Sequence, residues 1–144
     1  MREILFRGKR FDNGEWIVGH LLIFEDGRAR INESHTDIFC YEKDRSIIQT
    51  VAHEVYPETV GQFTGLTDKN GTKIFEGDII EGRCHSQWRH ELQRCEVTYC
   101  RDGFEARHHV KCGKERRYYT YKVLFSKDVV VIGNIHDNPE LLEE

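Results

Sequence analysis

No apolar run in this chain approaches the roughly 20 residues needed to span a bilayer. The opening MREILFRGKR lacks the apolar stretch of a secretory signal. Both absences predict a cytoplasmic protein with no membrane partner. Positive charge is not in excess either: 21 Lys and Arg stand against 25 Asp and Glu, a net charge of −4. Such a balance argues against a protein that coats nucleic acid electrostatically, while leaving room for a local basic patch. There is no Cys-x-x-Cys pair and no GxxxxGK[ST] phosphate loop. Helical periodicity is weak throughout.

The five cysteines, Cys40, Cys84, Cys95, Cys100 and Cys112, are an odd number. An oxidised secreted scaffold usually carries an even and denser set. Reduced thiols are the expectation.

What the chain does have is turns between β-formers. Asn13-Gly14, Glu25-Asp26-Gly27, Asn70-Gly71 and Arg101-Asp102-Gly103 punctuate runs rich in branched and aromatic residues. Residues 2–7, Glu15–Phe24 and Arg28–Ile31 read as a β-meander. Residues 32–50 are less regular, with short strands at 38–41 and 47–48 around a charged turn at Glu42–Arg45. Val60–Leu66 and Thr72–Phe75 form a ribbon through Asn70-Gly71, where both residues are expected at positive φ. The return strand bends at Gly77, which suits a bulge or a close backbone approach. Valine at Gly71 is therefore expected to be tolerated less well than alanine at Gly82.

Further strands are predicted at Asp78–Cys84, Arg94–Tyr99, Phe104–Val110, Tyr118–Phe125 and Val129–Ile132, with a turn at Ser126–Asp128. Five short strands of this kind fit a small, partly open barrel. Alternation in YYTYKVLF places Tyr119, Tyr121, Val123 and Phe125 on a core face, with Tyr118 and Lys122 outward. Short helical turns are expected near 57–61 and 139–143, the latter capped by Asn138 with Pro139 at its first position. The prediction is an all-β chain of two subdomains: a meander over 1–56, and a barrel with its connecting ribbon over 57–144.

Three phrases, REILFRGKRFDNGEWIVGHL, VYPETVGQFTGLTDKNGTKIFEGDII and VIGNIHDNPELL, together resemble the YopX family of phages, prophages and their bacterial hosts. The resemblance falls on Arg7-Gly8-Lys9, Asn13-Gly14, Trp16, Pro57–Gly61, Gly65-Leu66, Asp68, Gly71, Phe75–Asp78, Gly133-Asn134 and Asn138-Pro139. It implies a β-rich fold whose C-terminal part is similar to a Src-homology-3-like barrel, and it carries no catalytic role. Residues 83–122 lie outside the recognisable phrases.

Several chemistries can be weighed on the residues. Cys84, His85, His90, Cys95, Cys100, His108, His109 and Cys112 have the ligand types of a zinc site, but their spacing lacks the usual paired ligands. No metal is expected; were one bound, Cys95, Cys100, His109 and Cys112 are the residues to hold it. No nucleophile motif surrounds a cysteine. Glu76, Asp78 and Glu81 have the composition of a magnesium-nuclease cluster. Gly77 makes a turn the better reading, with Asp78 accepting from backbone amides. Asn13, Gly14, Asn70, Gly71, Gly77 and Asp78 are accordingly structural turn residues.

The segment KCGKERRYYTY mixes cations and rings that could meet phosphates and bases. Lys111, Lys114, Arg116, Arg117, Tyr118 and Lys122 are the candidate nucleic-acid contacts. The leading expectation is a non-enzymatic interaction or homo-oligomeric assembly module without a cofactor. Its partner is a second copy, or a host or phage protein. A nucleic-acid-binding accessory protein is the alternative.

Overall fold

A computed structural model of the chain describes residues 2–42, 45–83, 92–112, 114–121 and 128–143, of which 34–42, 45–51 and 121 are described as backbone only. Among them are eleven strands and two 3-10 turns, and all the strand pairing is antiparallel. The chain is all-β, as its turn chemistry predicts, and folds as two compact units, residues 1–62 and 63–144.

The first unit holds β1 (Phe6–Lys9), β2 (Trp16–Ile23), β3 (Ala29–Glu42) and β4 (Arg45–Val55), paired in the order β4-β3-β2-β1. β1 also pairs with the start of β5 at Gly61 and Gln62. The meander is present, but its first strand begins at Phe6 rather than at residue 2. Residues 32–42 and 45–50 differ more from expectation: they belong to two long paired strands, β3 and β4, while Lys43 and Asp44 of the expected charged turn lie outside the described residues. A register shift between Asn32 and Asp37 absorbs the irregularity that reads, in sequence, as a break. Ile17, Ala29, Ile31 and Val55 form the buried core, flanked by Phe6, Leu21 and Val60.

The 3-10 turn Pro57–Thr59 follows β4. Proline suits its first position because the missing N–H has no helical partner there. Thr59 Oγ1 accepts from the Lys9 N–H at 2.9 Å and donates to the Tyr56 carbonyl at 2.6 Å, tying the turn to β1.

In the second unit the rest of β5 (Gly61–Thr67) pairs with β6 (Lys73–Phe75) as the expected ribbon, with Phe63 opposite Phe75. Then β7 (Asp78–Arg83), β8 (Leu92–Cys100), β9 (Gly103–Cys112), β10 (Glu115–Tyr121) and β11 (Val130–Asn134) form a sheet in the order β10-β9-β8-β7-β11. Its edges are β10 and β11, and no pairing between them closes the sheet among the described residues. Ile74, Ile80, Cys95, Val97, Ala106 and Val129 make the core, with Val131 packed against them.

The turn phrase is structural. Gly71 has φ 82°, but Asn70 does not share it, since every positive φ among the described residues belongs to glycine. The expectation of positive φ at both residues is thus corrected. The Gly71 N–H donates to the Asp68 carbonyl at 3.0 Å, and Asp68 Oδ1 accepts from the N–H groups of Asn70 and Thr72, both at 2.9 Å. That carboxylate stabilises a turn needing only one left-handed residue. Gly77 has φ 85°, and its N–H and C=O bond to Val97 and Ile135. Asp78, 1% exposed, accepts from the Phe75 N–H at 2.7 Å, as the sequence predicts.

The C-terminal turn also departs in one detail. Pro139–Leu142 is a 3-10 turn with Pro139 first, but the Asn138 side chain does not cap it. Its Oδ1 instead accepts from the Asn134 N–H at 3.4 Å. Lys122, Val123, Phe125, Ser126-Lys127, Cys84, His85 and His90 lie outside the described residues, as do the side chains of Cys40 and Tyr121.

Candidate functional site

Neighbours in a strand point to opposite faces, so register decides what each face carries. On β8 and β9 the pair Val97 and Ala106 faces the core, beside Cys95. The alternate set faces away. Glu96 lies opposite Arg107, His109 opposite Tyr118, and Lys111 opposite Arg116. With Glu81 opposite Arg94, this makes a face of alternating charge across four strands.

The polar side chains on this face bond across the strands. Arg94 Nε donates to Glu81 at 2.9 Å, and His109 Nε2 lies 3.0 Å from Glu96 Oε2. The Arg107 guanidinium stacks 4.3 Å from the Tyr118 ring centroid, whose other neighbour is His109 at 6.4 Å. His108 Nδ1 lies 3.0 Å from the Arg94 carbonyl oxygen. Part-buried cross-strand pairs of this kind contribute roughly 0.2–1 kcal/mol each, enough to hold side chains in place rather than to hold the fold.

The 3-10 turn Pro139–Leu142 stands over the same face and makes a cleft of about 370 Å³. Glu96 and His109 line it on the sheet side, Ile135, Pro139 and Leu142 form an apolar wall, and Lys111, Arg116 and Glu143 complete it. A second cavity of about 160 Å³ shares His109 and Leu142 and extends toward Arg94.

Of the candidate nucleic-acid residues, Lys111, Lys114, Arg116, Arg117 and Tyr118 are described and exposed, yet several are already engaged. Arg116 faces Glu143 at 3.8 Å, and Arg117 faces Glu115 at 3.2 Å. Tyr118 is stacked by Arg107. Lys111 and Lys114 have no carboxylate partner among the described residues. Tyr119 is a correction. Predicted on the core face, it is 55% exposed, the same as Tyr118. The reason is position: β10 is an edge strand of the sheet.

The four candidate metal ligands are not brought together. Cys95 is buried in the core, whereas His109 points to the opposite face beside Glu96. Cys100 donates to Glu105 Oε1 at 2.7 Å, and Cys112 is exposed at the end of β9. No gathering of three or more His, Cys, Asp or Glu suited to a metal ion occurs among the described residues. The acidic trio is divided too, with Asp78 buried in its turn and Glu81 paired with Arg94. Asn13 and Gly14 shape the first hairpin: Gly14 has φ 71°, and Asn13 Oδ1 accepts from the Glu15 N–H at 2.9 Å.

Sequence reasoning missed Glu96 and Glu143, which belong to the cleft. A carboxylate within an alternating strand gives no signal of its partner until register is known. No helix among the described residues is long and apolar enough to cross a membrane.

The fold has a counterpart of known structure. The crystal structure of protein EF1440 from Enterococcus faecalis matches with a TM-score of 0.55 at 23% identity, over 99% of each chain. At that identity the likeness speaks to the fold. No curated protein matches the chain. The family model described as YopX protein matches residues 5–143, running through 83–122 as well as the three sequence phrases. With nearly the whole chain matched, this protein belongs to the YopX family.

Proposed function

We propose that this YopX-family protein is a non-enzymatic assembly module of phage or prophage type, and that copies of it associate through the free edge of β10. The carrying observation is that edge. Glu115–Tyr121 pairs only with β9 among the described residues, and residues 115–120 are all exposed. An unpaired strand edge is a template for another strand. A second copy fits it by charge. In an antiparallel pairing centred on Tyr118, Arg117 lies opposite the partner's Tyr119, and Arg116 opposite the partner's Thr120. Within Glu115–Tyr121 no like charges face each other in that register, and the cation–ring pairs are of a stabilising type.

The five-stranded sheet is read here as a partly open, Src-homology-3-like barrel, an arrangement its strand order supports. Free thiols at Cys95, Cys100 and Cys112 suit the reducing cytoplasm.

Light scattering on the purified chain tests the proposal. The expected result is a mass of two or more chains that falls to one chain when Tyr118→Lys and Tyr119→Lys are combined, with the melting temperature retained. Lysine on an edge strand discourages pairing. A monomeric native chain, or an oligomer indifferent to the double substitution, would refute assembly through β10.

A further inference from the structure

We propose that the cleft beneath Pro139–Leu142 is a docking site for an extended segment of a partner protein, one that presents a single acidic side chain flanked by apolar residues. The site lies on the face of the sheet rather than on its β10 edge, so it goes beyond self-association. Its volume, about 370 Å³, falls within the range of roughly 300–1,000 Å³ typical of ligand clefts. Its lining is mixed: an apolar wall of Ile135, Pro139 and Leu142 faces the cations Lys111 and Arg116.

Charge complementarity selects the occupant. Lys111 has no carboxylate partner among the described residues. Arg116, whose side chain is 77% exposed, has a single carboxylate partner among the described residues, Glu143 at 3.8 Å. An incoming carboxylate can replace that long contact with a short, forked pair to the guanidinium, which is the stronger geometry. Glu96 Oε2 is engaged by His109 Nε2 at 3.0 Å. A polyanion fits less well, because Glu96 and Glu143 both line the cleft and repel a run of phosphates. A cationic segment would meet Lys111 and Arg116. One carboxylate between apolar side chains satisfies the cations and covers Pro139 and Leu142 together.

The test is a titration of the nitrogen-15-labelled full chain, read by amide chemical shifts. The probes are the capped pentapeptide acetyl-Ala-Leu-Glu-Leu-Ala-amide and its Gln counterpart. The expected result is saturable shifts centred on Lys111, Arg116 and Leu142 with the Glu peptide, and binding at least about tenfold weaker with the Gln peptide, the factor that one charge-assisted pair supplies. Lys111→Glu, at an exposed position, should weaken the Glu peptide by a similar factor while leaving the spectrum folded. Leu142→Ser should weaken both peptides. Absence of saturable shifts, equal binding of the two peptides, or indifference to Lys111→Glu overturns the proposal. So does an oligonucleotide that shifts the same residues more strongly than the Glu peptide. Light scattering on the same samples reports self-association separately.

Discussion

Asp68 Oδ2 accepts a hydrogen bond from the backbone N–H of Val131 at 3.1 Å, across 63 residues of chain. The same carboxylate closes the turn between β5 and β6 through Asn70 and Thr72. One side chain thus holds a local turn and a distant strand. It is 8% exposed. Burial by itself would push its pKa up, but donation from the Val131, Thr72 and Asn70 N–H groups outweighs this and holds the carboxyl below its ordinary value.

A pH dependence follows from that direction. A carboxyl whose folded pKa is lowered binds fewer protons when folded, so its stabilisation is fully present above the unfolded value of about 3.9. It is lost as pH falls through the folded value. Asp68→Asn should therefore destabilise the protein most at neutral pH, by about 1–3 kcal/mol, as expected for lost bonds to a charged acceptor. Denaturant unfolding at a series of pH values should show the gap between native and variant narrowing below about pH 4. A gap that widens in acid would contradict the assignment.

Two glycine substitutions should both be costly, for different reasons. Valine at Gly71 is strained by φ 82° although no atom lies within 4 Å of its Cβ position. Alanine at Gly82 has ordinary φ, but its Cβ would stand 2.9 Å from Val129 Cγ2. The sequence-based ranking, with Gly82 tolerant, misses this close approach. Each change should cost about 1–3 kcal/mol. Adding Val129→Ala should give a smaller total loss than the sum of single effects with Gly82→Ala, and no such relief with Gly71→Val. Additive behaviour in both pairs would show that the Val129 contact is not the cause.

Thiol reactivity should be ordered by environment. Donation from Cys100 to Glu105, followed by burial, raises the Cys100 pKa above its ordinary value. The thiolate is the reactive form, so alkylation there is slowed. Cys112 is exposed and Cys95 is buried. Peptide-level mass spectrometry after iodoacetamide treatment should find Cys112 modified before Cys100, and Cys95 only on unfolding. Glu105→Gln should speed Cys100. Modification of Cys100 ahead of Cys112 would count against this account.

Intrinsic nucleic-acid affinity should be low. Arg116 and Arg117 each have a nearby carboxylate, and Tyr118 is stacked by Arg107. Titration with single- and double-stranded oligonucleotides should give no salt-sensitive binding tighter than about 10 μM, a level that non-specific binders reach readily at low salt. Submicromolar binding that disappears when Lys111, Lys114, Arg116 and Arg117 are replaced together would return the basic segment to first place.

Local structure in this protein is legible from its residues alone. Asp102-Gly103, Asn70-Gly71 and the bend at Gly77 announce turns, because the residues that accept or stabilise tight backbone conformations are few. Runs such as RCEVTY and the branched residues of DII mark strands by side-chain chemistry and alternation. Asp78 could be read as a turn residue because its partner, Phe75, is three positions away. Which distant residues meet is set instead by how the strands assemble. The link from Asp68 to Val131, the pairing of Glu96 with His109, the exposure of Tyr119 and the cleft under Pro139–Leu142 all depend on strand order and register. A shift of one residue in register would turn every side chain of a strand to the other face, so no single strand's sequence contains that information.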